Sequence, residues 1–91
     1  MTEQQIQRKI TNHLEENGLY SIKLIKTNKN GIADILAIHD TGIVTFIEVK
    51  KPDGVESKLQ KFRRLELMGF GIKSFVVYGY EDYMNKVGQY L

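Results

Sequence analysis

Two runs of β-branched and apolar residues, 32–39 and 43–50, lie only three residues apart in the chain. The residues between them, 40–42, have the polar and glycine composition of a turn. Antiparallel strands need only such a short connection, so the pattern predicts a β-hairpin. A three-residue loop places His39 opposite Ile43 and fixes the pairing along both strands. The rest of the chain must therefore pack on a sheet built outward from this hairpin.

The segments on either side of the hairpin predict three helices and two further strands. Thr2 and Gln5 have capping-box spacing at the start of the first helix, and apolar residues recur every fourth position after them. Ser57 is placed to cap the second helix. The predicted elements are a helix at about 3–17, strands at 20–26, 32–39 and 43–50, a helix at about 58–68, a strand at 73–78 and a short helix at 81–90.

The helix between the third and fourth strands predicts a parallel, right-handed crossover, because such a connection returns the chain to the same edge of the sheet. The sheet is therefore expected to be mixed. An apolar stripe on the second helix is predicted to face inward, formed by Leu59, Phe62, Leu65 and Met68. We expect one α/β domain over residues 1–91, a length typical of a single core.

Composition excludes several classes of protein. The chain has no cysteine, which rules out a disulfide scaffold, a thiol nucleophile and any cysteine-ligated metal cluster. Its two histidines are too few for the usual zinc sites. No apolar run approaches the roughly 20 residues of a membrane span, and the N-terminus lacks the pattern of a signal peptide. We therefore expect an intracellular, cytoplasmic protein.

The register of the hairpin brings two carboxylates together. Asp34 lies opposite Glu48, and Lys50 lies on the same face of the sheet. Directly paired Cβ atoms are about 4.5–5.5 Å apart, so two acids repel unless a positive group joins them or one is protonated. A divalent cation joins such a pair in a metal site, and a lysine neutralises it in a structural one; the residues alone leave both open. The rest of this face is apolar and is expected to form core: Leu36, Ile38, Val44 and Phe46.

Two isolated residues have weaker signals. Glu3 shares the inward stripe of the first helix, but an acid in a first turn also simply complements the helix dipole. Gln60 lies one turn into the second helix, where an exposed glutamine ordinarily has no special role. Spacing alone therefore favours the structural interpretation for both residues.

Basic residues are concentrated after the hairpin, although the net charge of +2 is too small by itself to predict a nucleic-acid binder. Such a cluster is either the solvated face of a helix or a set of contacts to a phosphate backbone. The cations concerned are Lys51, Lys58, Lys61, Arg63 and Arg64.

The order of these motifs resembles the PD-(D/E)XK nuclease superfamily, whose signature is Asp, a hairpin and then Glu-x-Lys. More narrowly, the chain resembles the virus-type replication–repair nuclease (VRR-NUC) domain in its stand-alone, phage-type form. Ala33 stands in place of the Pro of the superfamily's name, a residue that shapes the strand and is not a ligand. The resemblance rests on Glu3-x-x-Ile6, Gly31-Ile-Ala-Asp34, Ile47-Glu-Val-Lys50, Gly54 and Ser57-x-x-Gln60.

The resemblance implies a restriction-endonuclease-like αβββαβ core with a mixed central sheet and a short C-terminal helix. It also implies a metal-dependent DNA endonuclease that hydrolyses phosphodiester bonds with Mg²⁺ or Mn²⁺. Selectivity for branched DNA such as four-way junctions is expected, because stand-alone members of the family act on junctions as dimers. A phage origin in a bacterial host would fit.

Roles for individual residues also follow from the resemblance. Asp34, Glu48 and the backbone carbonyl of Val49 would bind the metal, with Glu3 reaching it directly or through its water. Lys50 would orient the attacking water, and Gln60 would support that water or Lys50. The DNA backbone would be contacted by Lys51, Lys58, Lys61, Arg63 and Arg64.

Two other functions remain open. One is a non-catalytic nucleic-acid-binding α/β module that uses the basic second helix. The other is an interaction subunit whose small core a partner completes. Apolar and aromatic residues are in surplus in the last third of the chain, which favours a homodimer.

Overall fold

A four-stranded mixed sheet and three helices make up the fold in a computed structural model that describes residues 1–91. The sheet order is β1-β2-β3-β4, which confirms the predicted α/β class. The elements are α1 (Glu3–Glu16), β1 (Tyr20–Lys23), β2 (Ile35–Ile38), β3 (Val44–Lys50), α2 (Lys58–Gly69), β4 (Lys73–Tyr78), α3 (Tyr80–Lys86) and a 3₁₀ turn (Gly88–Tyr90).

The predicted hairpin register is confirmed where β2 and β3 pair. These strands are antiparallel, with Ile35 opposite Ile47 and Ile38 opposite Val44. The parallel pairing of β3 with β4 is also confirmed, with α2 as the crossover between them. β1 extends the sheet antiparallel to β2. The end of β3 therefore lies beside the end of β4, where loops and helix termini converge.

Both predicted capping boxes are present. Thr2 and Gln5 exchange side-chain and backbone hydrogen bonds at 2.8 and 3.1 Å, and α1 begins at the next residue after Thr2. Ser57 does the same with Gln60 at the start of α2. These local bonds satisfy amide groups that a helix start leaves unpaired, which is why the sequence fixes both starts.

The largest differences from the predicted element boundaries are in β1, β2 and the last helix. β2 begins at Ile35 and not at residue 32, and β1 ends at Lys23 and not at residue 26. Gly31 has a φ of +82°, a left-handed conformation that interrupts the extended chain before β2. The predicted helix 81–90 is divided, because Val87 has a φ of −131° and ends α3.

The predicted core face of the hairpin is wrong. Residues Leu36, Ile38, Val44 and Phe46 are only partly buried. The opposite face is fully covered, because α1 and α3 both pack on that side of the sheet. The core comprises Ile6, Ile10, Leu14, Leu19, Ile35, Ala37, Ile47, Val49, Val77, Tyr83 and Val87.

The predicted inward stripe of α2 is also wrong. No residue of α2 is buried, and the four side chains of the predicted stripe keep 43–56% of their surface exposed. The helix packs mainly against β4, at the edge of the sheet, so it covers little of the adjacent strands. The stripe, Leu59, Phe62, Leu65 and Met68, therefore remains at the surface of the monomer.

The C-terminal aromatic residues are divided between core and surface. Tyr83 is fully buried, and Phe75 and Tyr80 pack against the core. Phe70 and Tyr90 remain exposed.

None of the helices combines the length and the hydropathy required to cross a bilayer.

Candidate functional site

Asp34 is fixed where β1, β2 and β3 meet. Its N–H donates to the carbonyl of Ile47 at 3.1 Å, and its carbonyl accepts the N–H of Leu24 at 2.8 Å. Its carboxylate Oδ2 accepts the N–H of Val49 at 2.7 Å. Asp34 therefore lies one residue outside the β2–β3 ladder, next to the end pair Ile35–Ile47. Its carboxylate is directed toward the backbone of Val49 in β3.

Glu48 is buried on the face of the sheet nearest α2, with only 2% of its surface exposed. Its Oε2 makes no hydrogen bond to any donor of the protein. Burial, and then the negative charge of Glu56, raise the pKa of the Glu48 carboxyl to about 7. A buried carboxyl without a donor is costly, which indicates a site that is completed by something outside the chain.

Asp34 and Glu48 lie within a shared electrostatic environment. Burial raises the pKa of Asp34, and the hydrogen bond from Val49 opposes that rise. The negative charge of Glu3 raises the pKa of Asp34 further, while the positive charge of Lys50 lowers it. Because Lys50 and Asp34 also act on Glu48, the predicted residues Asp34, Glu48 and Lys50 are near enough to influence one another, and Glu3 is near enough to influence Asp34.

Two charged residues near this site were missed in the sequence prediction. Lys23, at the end of β1, lowers the pKa of Asp34. Glu56, just before α2, lies in hydrogen-bonding contact with the Glu48 carboxyl. Strand pairing next to Asp34 could have indicated Lys23, whereas Glu56 lies in an irregular segment where no spacing rule applies.

Arg64 joins this group through Glu56. Its Nε and Nη2 donate to the two carboxylate oxygens of Glu56 at 3.0 and 2.9 Å. These hydrogen bonds are the main reason that the pKa of Glu56 is lowered. Helical side chains incline toward the N-terminus, which allows Arg64 to reach back to a residue that precedes its own helix.

Gln60 caps the start of α2, and Gly31 packs against the same helix. The Oε1 of Gln60 accepts the N–H of Ser57 at 2.9 Å in the capping box. A Cβ placed on Gly31 would lie 2.7 Å from the Cγ of Leu59. The loop before Asp34 therefore packs directly against α2, and only glycine fits at this contact.

The predicted DNA-binding cations have different surroundings. Lys51, Lys58 and Lys61 are exposed and form no ion pair. Arg63 donates to the carbonyl of Asn30 at 2.9 Å and to Glu66 at 3.1 Å, and Arg64 is paired with Glu56. The three lysines are therefore the cations of this set that are free to meet an anionic ligand.

The donor set fits a hard divalent cation. No three His, Asp or Glu side chains form a ready-made cluster, so a protein cage of side chains is not present. Mg²⁺ is typically held by one or two carboxylates with water and phosphate oxygens completing its shell. Asp34, Glu48 and the nearby backbone of Val49 provide such an incomplete set, and the unpartnered Oε2 of Glu48 supplies a free ligand atom.

A solved structure described as "VRR_NUC domain" is similar to this chain over the full length of both, with a TM-score of 0.88. The chain has the VRR-NUC fold. Sequence identity between the two is 24%. No protein-family model and no curated protein matches the chain. The predicted core of that fold is therefore confirmed from the arrangement of the strands and helices.

Proposed function

We propose that this VRR-NUC-fold domain is a metal-dependent nuclease that hydrolyses phosphodiester bonds in DNA. The observation that carries the proposal is the buried carboxyl of Glu48, whose Oε2 has no hydrogen-bond partner in the protein. It lies beside Asp34 and within the field of Lys50, an arrangement of two acids and a lysine that suits metal-assisted hydrolysis. The name of the similar structure supports the same activity class.

In this proposal Asp34, Glu48 and the carbonyl of Val49 hold Mg²⁺ or Mn²⁺, and Glu3 contributes directly or through a water. When bound, the cation lowers the pKa of a coordinated water and stabilises negative charge on the phosphate. The hydrogen bond from Val49 keeps one oxygen of Asp34 oriented, which leaves the other oxygen available as a ligand.

Lys50 orients the attacking water and offsets the charge that develops on the phosphate. The lysine is the last residue of β3, and its carbonyl accepts the N–H of Gly79 at 2.8 Å, so its backbone is held between the strand ends. Gln60 supports the water or Lys50 from α2. Its side-chain oxygen serves the helix cap, which leaves its amide N–H groups for this role.

DNA approaches along the exposed cations next to the site. Lys51, Lys58 and Lys61 lie on the segment from the end of β3 into α2 and form no ion pair. Arg63 and Arg64 also lie on α2, where they bind other parts of the chain. Contacts to phosphate from the three lysines make affinity depend strongly on salt concentration.

The working unit in this proposal is a homodimer that cleaves branched DNA such as a four-way junction. The four side chains of the apolar stripe are exposed along α2, and Phe70 at the end of the helix has 81% of its surface exposed. Several large apolar side chains exposed on one element are typical of an interface. A second copy is the occupant we propose, since a two-fold dimer presents two sites to two strands.

Cleavage assays test the proposal. Duplex, single-stranded and four-way-junction DNA are incubated with Mg²⁺, with Mn²⁺ and with a chelator. We expect cleavage only with metal, and paired nicks on the junction with linear duplex spared. Binding without cleavage under every metal condition would instead favour the non-catalytic module. Equal cutting of all substrates would leave a general nuclease without junction selectivity.

A further inference from the structure

Glu48 and Glu56 lie within hydrogen-bonding reach of each other, which brings two carboxyl groups together in a largely buried position. Glu48 is 2% exposed, and the side chain of Glu56 is 8% exposed. Only one guanidinium, that of Arg64, binds this pair, and both of its hydrogen bonds go to Glu56. Glu48 is therefore left with excess negative charge around it and no donor for Oε2.

Structural stabilisation alone does not explain this arrangement well. Exposed ion pairs contribute little, and a buried pair contributes only when its remaining polar atoms are satisfied. Here Arg64 satisfies Glu56 with two hydrogen bonds, while Oε2 of the neighbouring Glu48 has no partner. The hydrogen bonds from Arg64 therefore hold Glu56 in place, and Oε2 of Glu48 is left available to bind a ligand.

We propose that Glu56 and Arg64 are positioning residues for the metal ligand Glu48, an inference that rests on the metal-dependent function proposed above. Arg64 donates a hydrogen bond to each carboxylate oxygen of Glu56. Glu56 therefore stays ionised beside Glu48, and its side chain does not rotate toward the metal position. That fixed negative charge favours a cation at Glu48 and holds the Glu48 side chain in one orientation. The role of Arg64 is then exerted through Glu56 and not through the DNA backbone.

The planar guanidinium matters for this role. Arginine binds a carboxylate through two parallel hydrogen bonds, whereas lysine acts as a point charge. Arg64→Lys keeps the charge but loses the paired geometry, and Arg64→Ala loses both. Residues that orient a metal ligand typically change metal affinity by about 10–100-fold when removed.

The test measures metal binding and DNA binding separately. Calorimetry on the metal-free protein, without DNA, gives the Mn²⁺ affinity of the wild type, Arg64→Ala, Arg64→Lys and Glu56→Gln. Fluorescence anisotropy with chelator gives the DNA affinity and its salt slope for the same proteins. Arg8→Ala, an exposed arginine of α1, is the matched control, and Lys61→Ala is the comparison for a DNA contact.

We expect Arg64→Ala to weaken Mn²⁺ binding about tenfold, with Arg64→Lys in between. Glu56→Gln should weaken it as well, because the fixed charge is gone. DNA affinity and salt slope should change less than twofold in these variants. Arg8→Ala should match the wild type, whereas Lys61→Ala should lose DNA affinity and keep its Mn²⁺ affinity.

Unchanged Mn²⁺ affinity in Arg64→Ala and Glu56→Gln, with wild type that binds Mn²⁺, would overturn this inference and leave the nuclease proposal standing. A lower salt slope in Arg64→Ala with normal Mn²⁺ affinity would make Arg64 a DNA contact instead. Wild type that binds no divalent metal would overturn both proposals together. If Arg64→Ala does not fold, Arg64→Lys and Glu56→Gln give the same decision.

Discussion

Replacing Glu48 by glutamine should make the metal-free protein more stable at neutral and alkaline pH. The pKa of Glu48 is raised from 4.5 to about 7, so the folded protein keeps its proton at pH values where the unfolded chain has lost it. Because the unfolded chain then binds fewer protons, the free energy of unfolding falls as pH rises from about 4.5 to about 7. Above that range the wild type carries the full cost of an ionised, buried carboxyl.

The size of the effect follows from the pKa values. At about 1.36 kcal/mol per pKa unit, the rise from 4.5 to about 7 corresponds to about 3 kcal/mol. Glutamine cannot ionise, and its amide can donate to Glu56, but its own carbonyl oxygen replaces one unpartnered atom by another. We therefore expect Glu48→Gln to gain about 2 kcal/mol at pH 8 and almost nothing at pH 4.5.

Urea unfolding followed by circular dichroism, at several pH values with chelator present, measures this difference. Glu16→Gln is the matched control, since Glu16 is exposed and forms no ion pair. Mn²⁺ at pH 8 should stabilise the wild type and leave Glu48→Gln unchanged, because ligand binding to the folded state adds stability. Parallel stability curves for wild type and Glu48→Gln between pH 5 and pH 8 would refute the reasoning.

Four further outcomes are expected. Asp34→Ala and Glu48→Ala should each abolish cleavage while the fold is kept; full Mg²⁺-dependent activity in either folded protein would contradict the site. Lys50→Ala should lose most of its rate but still bind metal and DNA, which single-turnover kinetics and calorimetry separate. Lys61→Ala should bind DNA more weakly with a shallower salt slope yet cleave at a normal rate when saturated, as titrations followed by cleavage will show. Light scattering at micromolar concentration should give a dimer of two 10.5 kDa chains, and Phe62→Asp should give a monomer; a monomeric wild type would count against the interface.

Local sequence signals determined much of the fold correctly. The spacing of Thr2 with Gln5 and of Ser57 with Gln60 located both helix starts, because each capping bond lies within one turn. The three-residue loop fixed the hairpin register, because pairing in an antiparallel ladder follows directly from the loop. The crossover length identified the parallel pair.

Which face of the sheet is buried could not be determined from the same signals. Both faces of the hairpin are apolar, with Leu36 and Phe46 on one side and Ile35 and Ile47 on the other. Alternation shows that two faces exist but not which one α1 and α3 cover. The apolar stripe of α2 was likewise present in the sequence but does not form core. Its spacing is the same whether the stripe packs within the chain or against another molecule.

The site was predictable to the extent that it depends on strand register. The β2–β3 register places Asp34 at the position opposite Glu48, as expected. Glu56 was not predicted, because its contact depends on the path of an irregular segment. In the sequence, Arg64 cannot be distinguished from an exposed cation on a helix. Only its two hydrogen bonds to Glu56 show that it pairs within the chain.

The contact of Gly31 with Leu59 has a consequence for how this protein can change over evolutionary time. Any side chain at Gly31 would clash with Leu59 of α2, and the same loop leads directly into Asp34. The position of α2, which carries the basic surface, is thus coupled to the loop that carries Asp34. A saturation library should tolerate many residues at Gly69, which has open space around it and no left-handed backbone, yet almost none at Gly31. Variants with a new DNA preference should therefore arise on the outer face of α2, where a side chain can be exchanged without moving the backbone.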